Sequence, residues 1–281
     1  MRIIRADEIT EAIREMCIQA NLYLSDDVKN AIISGKNEEE EASLASHILE
    51  QLEENLKVAD DLQIPICQDT GMTVVFAEVG QEVMIEGGLL TDAINEGISR
   101  GYTEGYLRKS VVGDPVERKN TGDNTPGIIH YDIVKGDKIT LTVAPKGAGS
   151  ENMSRIFMLK PADGIEMVKH VVLQTVGEAG PNACPPLVVG VGIGGNFEEC
   201  ALLSKKALTR NLDIRSNIPW VADLEKDLLD SINSTGIGPA GLGGKTTALA
   251  VNIETYATHI ACLPVAVNLC CHVNRHVRRV L

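Results

Sequence analysis

The sequence has few aromatic residues and no strongly basic segment. Phe, Trp and Tyr together make up 3% of its 281 residues, so the core must be aliphatic. Aspartates and glutamates number 39 against 26 lysines and arginines, which gives a formal net charge of −13. Such a chain lacks the positive charge and the stacking surfaces by which proteins bind nucleic acid, and it offers little attraction to an anionic membrane.

Long apolar runs are absent as well. Charged residues are spread through positions 2 to 15, which leaves no apolar stretch of signal-peptide length. No uncharged apolar run reaches the ~18 residues that a membrane-spanning helix needs. These features predict a cytoplasmic protein. At about 150 residues per domain, the length predicts one large domain or two packed subdomains within residues 1–281.

Cysteine, by contrast, is abundant, with seven residues. An odd count at irregular spacing in a cytoplasmic chain favours metal-binding, catalytic or buried thiols over disulfides. Cys17 and Cys200 fall within predicted helices, where buried structural thiols are common. Cys67 lies in a polar turn, Cys184 lies in the proline-rich segment GPNACPPL, and Cys270 and Cys271 stand directly before His272. Widely separated loop thiols do not match the paired ligands of a zinc finger, but they suit a cluster held by three cysteines with one iron left open.

The pattern of apolar residues predicts a mixed α/β (α+β) fold, with a helical N-terminal region followed by a mixed, partly antiparallel sheet and packed helices. Helices are predicted over about 6–22, 37–62, 162–179, 197–210, 220–233 and 245–257. Strands are predicted over 72–80 and 186–192, and residues 128–134 and 139–145 are predicted to form a hairpin. The acidic run at 38–41 is typical of a solvated helix face.

Two glycine-rich motifs suggest other functions. In GVGIGG, the residues Gly190, Gly192 and Gly195 match a dinucleotide-binding pattern, and Asp213 lies near the usual distance for a ribose-binding acid. This motif makes an NAD(P)-binding oxidoreductase an alternative hypothesis. However, no apolar strand surrounds Asp213 to close a βαβ unit.

The second motif, GPAGLGGKTT at 238–247, resembles a phosphate-binding P-loop. Pro239 stands where that loop requires its first glycine, so the match is weak. We expect instead a glycine loop that opens a helix and holds a carboxylate or another small anion. A non-catalytic interaction protein is the third hypothesis for the chain.

Six segments taken together resemble class I, iron–sulfur-dependent fumarases and the similar L-tartrate dehydratases. They are ICQDTGMTVVF, LRKSVVGDPVERKNTGDNTP, PKGAGSENMS, ACPPLVVGVGIGGNFEECALLSKKAL, GIGPAGLGGKTTALAV and HIACLPVAVNLCCHVNRH. The resemblance is to the N-terminal domain, which forms a separate α subunit in two-subunit members of the family. It therefore implies an α subunit that needs a β subunit, in an α2β2 assembly. The implied reaction is the reversible hydration of fumarate to L-malate, or the dehydration of L(+)-tartrate to oxaloacetate.

The resemblance also implies a cofactor, an oxygen-sensitive [4Fe–4S] cluster with one open iron. Its implied ligands are Cys67, Cys184 and one cysteine of the pair near the C-terminus. We select Cys271 over Cys270 because the family ligand similarly stands directly before a histidine.

The same resemblance implies roles for five further residues. Gln68, Arg108 and the backbone of Gly149 would bind the dicarboxylate substrate. Asp69, partnered with His259, would protonate the departing hydroxide. The base that removes the carbon-bound proton would belong to the β subunit.

Overall fold

The computed structural model describes all 281 residues. Its helices are α1 Ala6–Leu22, α2 Asp26–Glu38, α3 Leu44–Leu62, α4 Leu90–Glu104, α5 Ala148–Glu151, α6 Gly164–Ala179, α7 Phe197–Ala207 and α8 Pro219–Asn233. Its strands are β1 Arg2–Arg5, β2 Met72–Gly80, β3 Val83–Glu86, β4 Ile128–Val134, β5 Ile139–Lys146, β6 Arg155–Leu159, β7 Leu187–Gly195, β8 Ala248–Thr258, β9 Leu263–Cys270 and β10 Val277–Val280. The prediction of a mixed α/β fold is confirmed.

The chain divides into two compact units. The first contains Met1–Leu24, Val58–Ala148 and Arg275–Leu281, and the second contains Ser25–Lys57 and Gly149–Asn274. No helix in the structure combines the length and the apolar character that crossing a membrane requires.

The first unit is built on a four-stranded sheet in the order β10-β5-β2-β4. Helix α1 matches its predicted bounds and places Ile9, Ile13 and Met16 at helical spacing in the core, all of them fully buried. Helix α4 adds Ile94 and Ile98 to the same aliphatic cluster. Aliphatic side chains therefore make up most of this core, as expected from the small number of aromatic residues.

The predicted hairpin of 128–134 with 139–145 is wrong. Strand β2 lies between the two segments, parallel to β4 and antiparallel to β5. Residues 73–77 of β2 are buried without interruption, whereas most of β4 is exposed. The continuously buried strand thus occupies the interior position, and the exposed strand β4 lies at the edge of the sheet.

The second unit contains a four-stranded sheet in the order β6-β9-β7-β8. Strand β7 is parallel to β8 and antiparallel to β9, and it is buried from Leu187 through Gly194. Helices α6 and α8 contribute Val172 and Leu228 to the aliphatic core on this sheet.

The helix predicted over 245–257 is also wrong, because this segment forms strand β8. It pairs with β7 over nearly its whole length, and residues 250–253 are buried. A short apolar run that is buried on both sides has no amphipathic period to distinguish a strand from a buried helix. The segment forms a strand because it pairs with β7, which is distant in the sequence.

The glycines of GVGIGG lie inside strand β7, where they allow helix α7 to pack closely. A Cβ atom at Gly190 would lie 2.2 Å from the Ser204 carbonyl oxygen, and one at Gly192 would lie 2.1 Å from that of Cys200. Both glycines are buried within the strand rather than placed in an exposed turn, so they cannot approach a pyrophosphate. The structure gives this motif a packing role and does not favour the dinucleotide hypothesis.

We expect Gly192→Ala to destabilise the chain by about 3 kcal/mol or more, because the new methyl group would overlap backbone of α7 that cannot move aside. Gly177→Ala is the matched control. Gly177 lies in helix α6 with open space around its Cβ position, so alanine there should stabilise the chain by up to about 1 kcal/mol. Urea unfolding of both variants tests this difference. Equal midpoints would show that close packing of α7 does not explain the glycine.

Candidate active site

The first unit presents Cys67, Gln68 and Asp69 on one short turn between α3 and β2. The Cys67 thiol donates to Gln68 Oε1 at 3.3 Å, and the Asp69 N–H donates to Cys67 Sγ at 3.4 Å. The Asp69 carboxylate accepts the Gly71 N–H at Oδ1 and the Ala148 N–H at Oδ2, each at 3.0 Å. Two backbone donors thus fix the orientation of the carboxylate beside the thiol.

Gly71 ends this turn in a conformation that a side chain would strain. Its φ is +77°, and a Cβ atom there would lie 2.7 Å from the backbone nitrogen of Lys146. The turn therefore lies directly against the end of strand β5. This close approach brings the Ala148 N–H within reach of Asp69.

The segment that carries Arg108 is held against the same turn. Thr70 Oγ1 donates to the Arg108 carbonyl oxygen at 3.1 Å. Asn124 is fully buried, accepts the Ser110 N–H at 2.7 Å and donates to the Gly71 carbonyl oxygen at 3.1 Å. The Arg108 side chain itself is exposed. The structure therefore fixes the Arg108 backbone beside Asp69 and leaves the guanidinium accessible to a ligand.

In the second unit, Cys184 occupies a strained and exposed position. It follows the short helical turn Gly180–Ala183 with φ 55° and ψ 63°, a left-handed conformation that costs a non-glycine residue about 1–3 kcal/mol. Its carbonyl oxygen lies 3.2 Å from His272 Nδ1. The loop of Cys184 therefore meets the segment that follows strand β9.

The two neighbouring cysteines of that segment differ in burial. Cys270 is the last residue of β9 and is 4% exposed, whereas Cys271 lies beyond the strand and is half-buried. The accessible thiol is the one that directly precedes His272, which supports the selection of Cys271 as the ligand.

Gly149 and His259 also belong to the second unit. A Cβ atom at Gly149 would lie 3.7 Å from the Asn182 carbonyl oxygen, so this exposed glycine runs alongside the turn before Cys184. His259 lies in the exposed turn after β8, and its Nδ1 accepts the Ala261 N–H at 3.2 Å. The neutral ring then carries its proton on Nε2, which faces away from that bond.

Cys17 and Cys200 lie in environments that do not suit a metal ligand. Cys17 is fully buried, and burial raises the pKa of its thiol to about 12. Burial likewise raises the pKa of Cys200. Both thiols therefore stay protonated at neutral pH, and only the thiolate ligates iron. Their prediction as buried structural thiols agrees with this environment.

The three predicted ligands, Cys67, Cys184 and Cys271, suit an iron–sulfur cluster by their chemistry. None of the seven cysteines forms a disulfide, and Cys67, Cys184 and Cys271 are all at least partly exposed. The N–H donated to Cys67 Sγ is of the kind that tunes cluster thiolates. No three His, Cys, Asp or Glu side chains form a ready-made metal site in the structure. The fit therefore rests on the donors and their accessibility.

The glycine loop at 238–247 does hold an anion, and that anion is Glu39 of the same unit. The Lys245 N–H lies 2.9 and 3.0 Å from the two carboxylate oxygens of Glu39, and the Thr246 N–H donates to Oε1 at 2.7 Å. The run at 38–41 does not form a helix face as predicted, because α2 ends at Glu38 and α3 begins only at Leu44, although Glu38, Glu40 and Glu41 are exposed as expected. The loop also opens strand β8 rather than a helix.

We expect Glu39→Ala to lower the free energy of unfolding by about 1–2 kcal/mol, because it leaves two backbone donors without their charged acceptor. Glu39→Gln should cost less, since one oxygen remains. Glu41→Ala, which removes an exposed carboxylate from the same run, is the control and should have little effect. Urea midpoints compare the three variants, and an unchanged midpoint for Glu39→Ala would contradict the anchoring role.

Sequence reasoning missed Asn124 and the role of Arg275. Both residues lie inside segments that carry the family resemblance, which was the available signal. Arg275 is buried in the first unit, and its Nη2 donates to the Asp69 carbonyl oxygen. A charged residue near the C-terminus gives no sign in the sequence that it is buried beside a turn some 200 residues earlier.

Comparison with known proteins identifies the family. The model of the fumarate hydratase (Fumerase) family matches residues 10–280. A protein of Methanocaldococcus jannaschii, provisionally named L(+)-tartrate dehydratase subunit alpha, is 42% identical over 274 residues, which are 95% of each chain. The L(+)-tartrate dehydratase subunit alpha of Escherichia coli is 32% identical over 272 residues, which are 96% of this chain and 89% of the relative. By both measures, the chain belongs to the fumarate hydratase family.

Proposed function

We propose that this chain is the α subunit of a [4Fe–4S]-dependent hydro-lyase that reversibly hydrates fumarate to L-malate. The family, together with the subunit names of the relatives, supports a hydro-lyase α subunit. The observation that carries the proposal is the turn from Cys67 to Gly71. It sets a thiol, an amide and a backbone-held carboxylate side by side, with the Arg108 segment fixed against it.

The proposed cluster ligands are Cys67, Cys184 and Cys271. When bound, a cluster with three thiolate ligands supplies a Lewis acid that polarises the substrate hydroxyl. The chain itself would keep the three thiols accessible and orient the substrate-binding side chains around the substrate.

Substrate binding is assigned to three residues of this chain. The exposed guanidinium of Arg108 suits bidentate contact with one substrate carboxylate, because its fork of donors matches two oxygens. The Gln68 side chain, also exposed, can donate from its amide nitrogen. The backbone of Gly149 lies open beside the Cys184 loop, where its N–H is proposed to meet the other carboxylate.

Proton transfer during dehydration is assigned to Asp69. As the C–O bond of malate breaks, a proton from Asp69 converts the departing hydroxide to water. A base, proposed to lie on a β subunit, removes the proton from the adjacent carbon, and that electron pair forms the double bond of fumarate. His259, with its ring proton on Nε2, is the proposed hydrogen-bond partner of Asp69, and a proton from solvent restores the acid form of Asp69. The proposed assembly is α2β2, in the cytoplasm.

L(+)-tartrate is the second candidate substrate, and the names of the relatives favour it. Its dehydration leads to oxaloacetate and uses the same leaving group and the same proton steps. Tartrate carries one hydroxyl more than malate, so the two substrates require different hydrogen-bonding groups at that carbon.

The test is turnover by the chain reconstituted anaerobically with its β subunit. Fumarate, L-malate and L(+)-tartrate are supplied separately, and kcat/KM is measured for each. The proposal expects iron-dependent turnover with fumarate and malate. Turnover of tartrate alone would identify L(+)-tartrate as the substrate in place of fumarate and malate. Iron-loaded complex that acts on none of the three would overturn the hydro-lyase proposal.

A further inference from the structure

Arg275 is a buried cation that lacks a full set of partners. It lies in the first unit just before strand β10 and is 4% exposed. Its Nη2 donates to the Asp69 carbonyl oxygen, but Nε and Nη1 are buried without a hydrogen-bond partner. Buried arginines normally pair with a carboxylate, because an uncompensated charge in the interior is costly. The position of Arg275 therefore calls for an explanation.

The groups around Arg275 form no ion pair with it. The carboxylate of Asp69 accepts the N–H groups of Gly71 and Ala148, and only the carbonyl oxygen of Asp69 accepts from Arg275. The hydroxyl of Tyr102 donates to the carbonyl oxygens of Thr70 and Gly71. Burial raises the pKa of Tyr102 strongly, so this hydroxyl stays neutral even though the charge of Arg275 acts on it in the opposite direction.

The main chain of Asp69 connects Arg275 to Cys67. The Asp69 carbonyl oxygen accepts from Arg275, and the N–H of the same residue donates to Cys67 Sγ. A negative charge that arrives at Cys67 is therefore linked to the guanidinium of Arg275 through the backbone of Asp69 alone. Cysteine binds iron as the thiolate, so ligation brings such a charge.

We propose that Arg275 is a positioning residue and the buried counter-charge for iron–sulfur ligation at Cys67. This inference rests on the proposed function, since it requires Cys67 to be a ligand. Without the cluster, the charge of Arg275 is a cost to the fold. With the cluster, it offsets the negative charge of the ligand site and holds the turn that carries Cys67 and Asp69.

The experiment compares full-length Arg275→Met, Arg275→Lys and wild type. The thermal midpoint of each iron-free chain is measured, and then the rate at which a chelator removes iron after anaerobic reconstitution. Arg275→Met should keep or raise the iron-free midpoint, because it removes an unpaired buried charge. It should also release iron at least about tenfold faster, as expected when a group that supports a metal ligand is lost. Arg275→Lys keeps the charge and should recover most of the retention.

Arg279→Met is the matched control, because Arg279 lies four residues further on and pairs with Glu15 on the surface. It should not change iron release. A wild-type chain that binds no iron would refute the proposed function itself. Wild type that binds iron, with Arg275→Met releasing it at the same rate, would overturn only the role of Arg275. Should Arg275→Met lose both stability and iron, recovery of iron retention in Arg275→Lys supports the counter-charge, and failure to recover overturns it.

Discussion

Cys67→Ser is expected to yield a folded chain that no longer holds a complete cluster and whose complex with the β subunit is about a hundredfold or more less active. Cys67 is half-buried on a polar turn outside both aliphatic cores, so the substitution removes no core packing. A serine hydroxyl is a poor iron ligand at neutral pH, and losing the metal removes several kcal/mol of transition-state stabilisation. Iron content, electron paramagnetic resonance and turnover are measured on the same anaerobic sample.

Cys262→Ser is the control for this variant. Cys262 is also half-buried and follows a turn of the chain, but it has no proposed role as a ligand. Its iron content should match that of wild type. A Cys67→Ser chain that still bound the full complement of iron would show that the ligand assignment is wrong.

Asp69→Asn is expected to lower kcat by about 10²–10⁴-fold while iron content stays unchanged. The amide cannot deliver a proton to the leaving hydroxide, which accounts for the loss typical of a missing general acid. It also places an NH2 group against one of the two backbone donors that now hold the carboxylate, so the turn loses a hydrogen bond. Turnover and iron are measured on the same reconstituted complex.

Asp114→Asn is the control for the chemical change alone, because the exposed Asp114 accepts two backbone N–H groups at one oxygen, Oδ1, which the amide retains. It makes the same chemical change at a turn beyond Arg108 whose side chains have no proposed role in the reaction. Comparable losses of kcat in both variants would mean that the loss is not specific to Asp69. Near-normal kcat in Asp69→Asn would remove it from the proton-transfer step.

The fold could be predicted from the sequence where periodicity was strong. Helix α1 shows a clear apolar stripe, and its predicted and observed bounds agree. The hairpin of β4 with β5 was mispredicted because adjacency in the chain does not reveal that β2 inserts between the two strands. Strand β8 was mispredicted because its apolar run is compatible with a helix until its pairing with β7 is known.

The candidate site was accessible from the sequence mainly through the family resemblance. Residues 67–69 and Arg108 lie together in the first unit, as a shared site requires, although the sequence separates them by about 40 positions. The buried supports of the site, Asn124 and Arg275, were not predicted. Their importance arises from burial and from hydrogen bonds to distant backbone groups, and neither property has a local sequence signal.

The −13 net charge does not describe the site where a dianionic substrate would bind. The backbone of Arg108 and the buried guanidinium of Arg275 both contact the turn that carries Asp69, and the side chain of Arg108 is exposed. Local positive charge of this kind attracts a dicarboxylate over short range even on an acidic protein, because distant charges are screened within about 10 Å.

The chain is proposed to carry the iron–sulfur half of a hydro-lyase. Iron content and turnover of fumarate, malate and tartrate are measured on one anaerobically reconstituted complex with the proposed β subunit, before and after treatment with a chelator. About four iron ions per α chain are expected, with activity that falls in proportion as iron is removed. Activity that persisted in the iron-free complex would contradict this assignment.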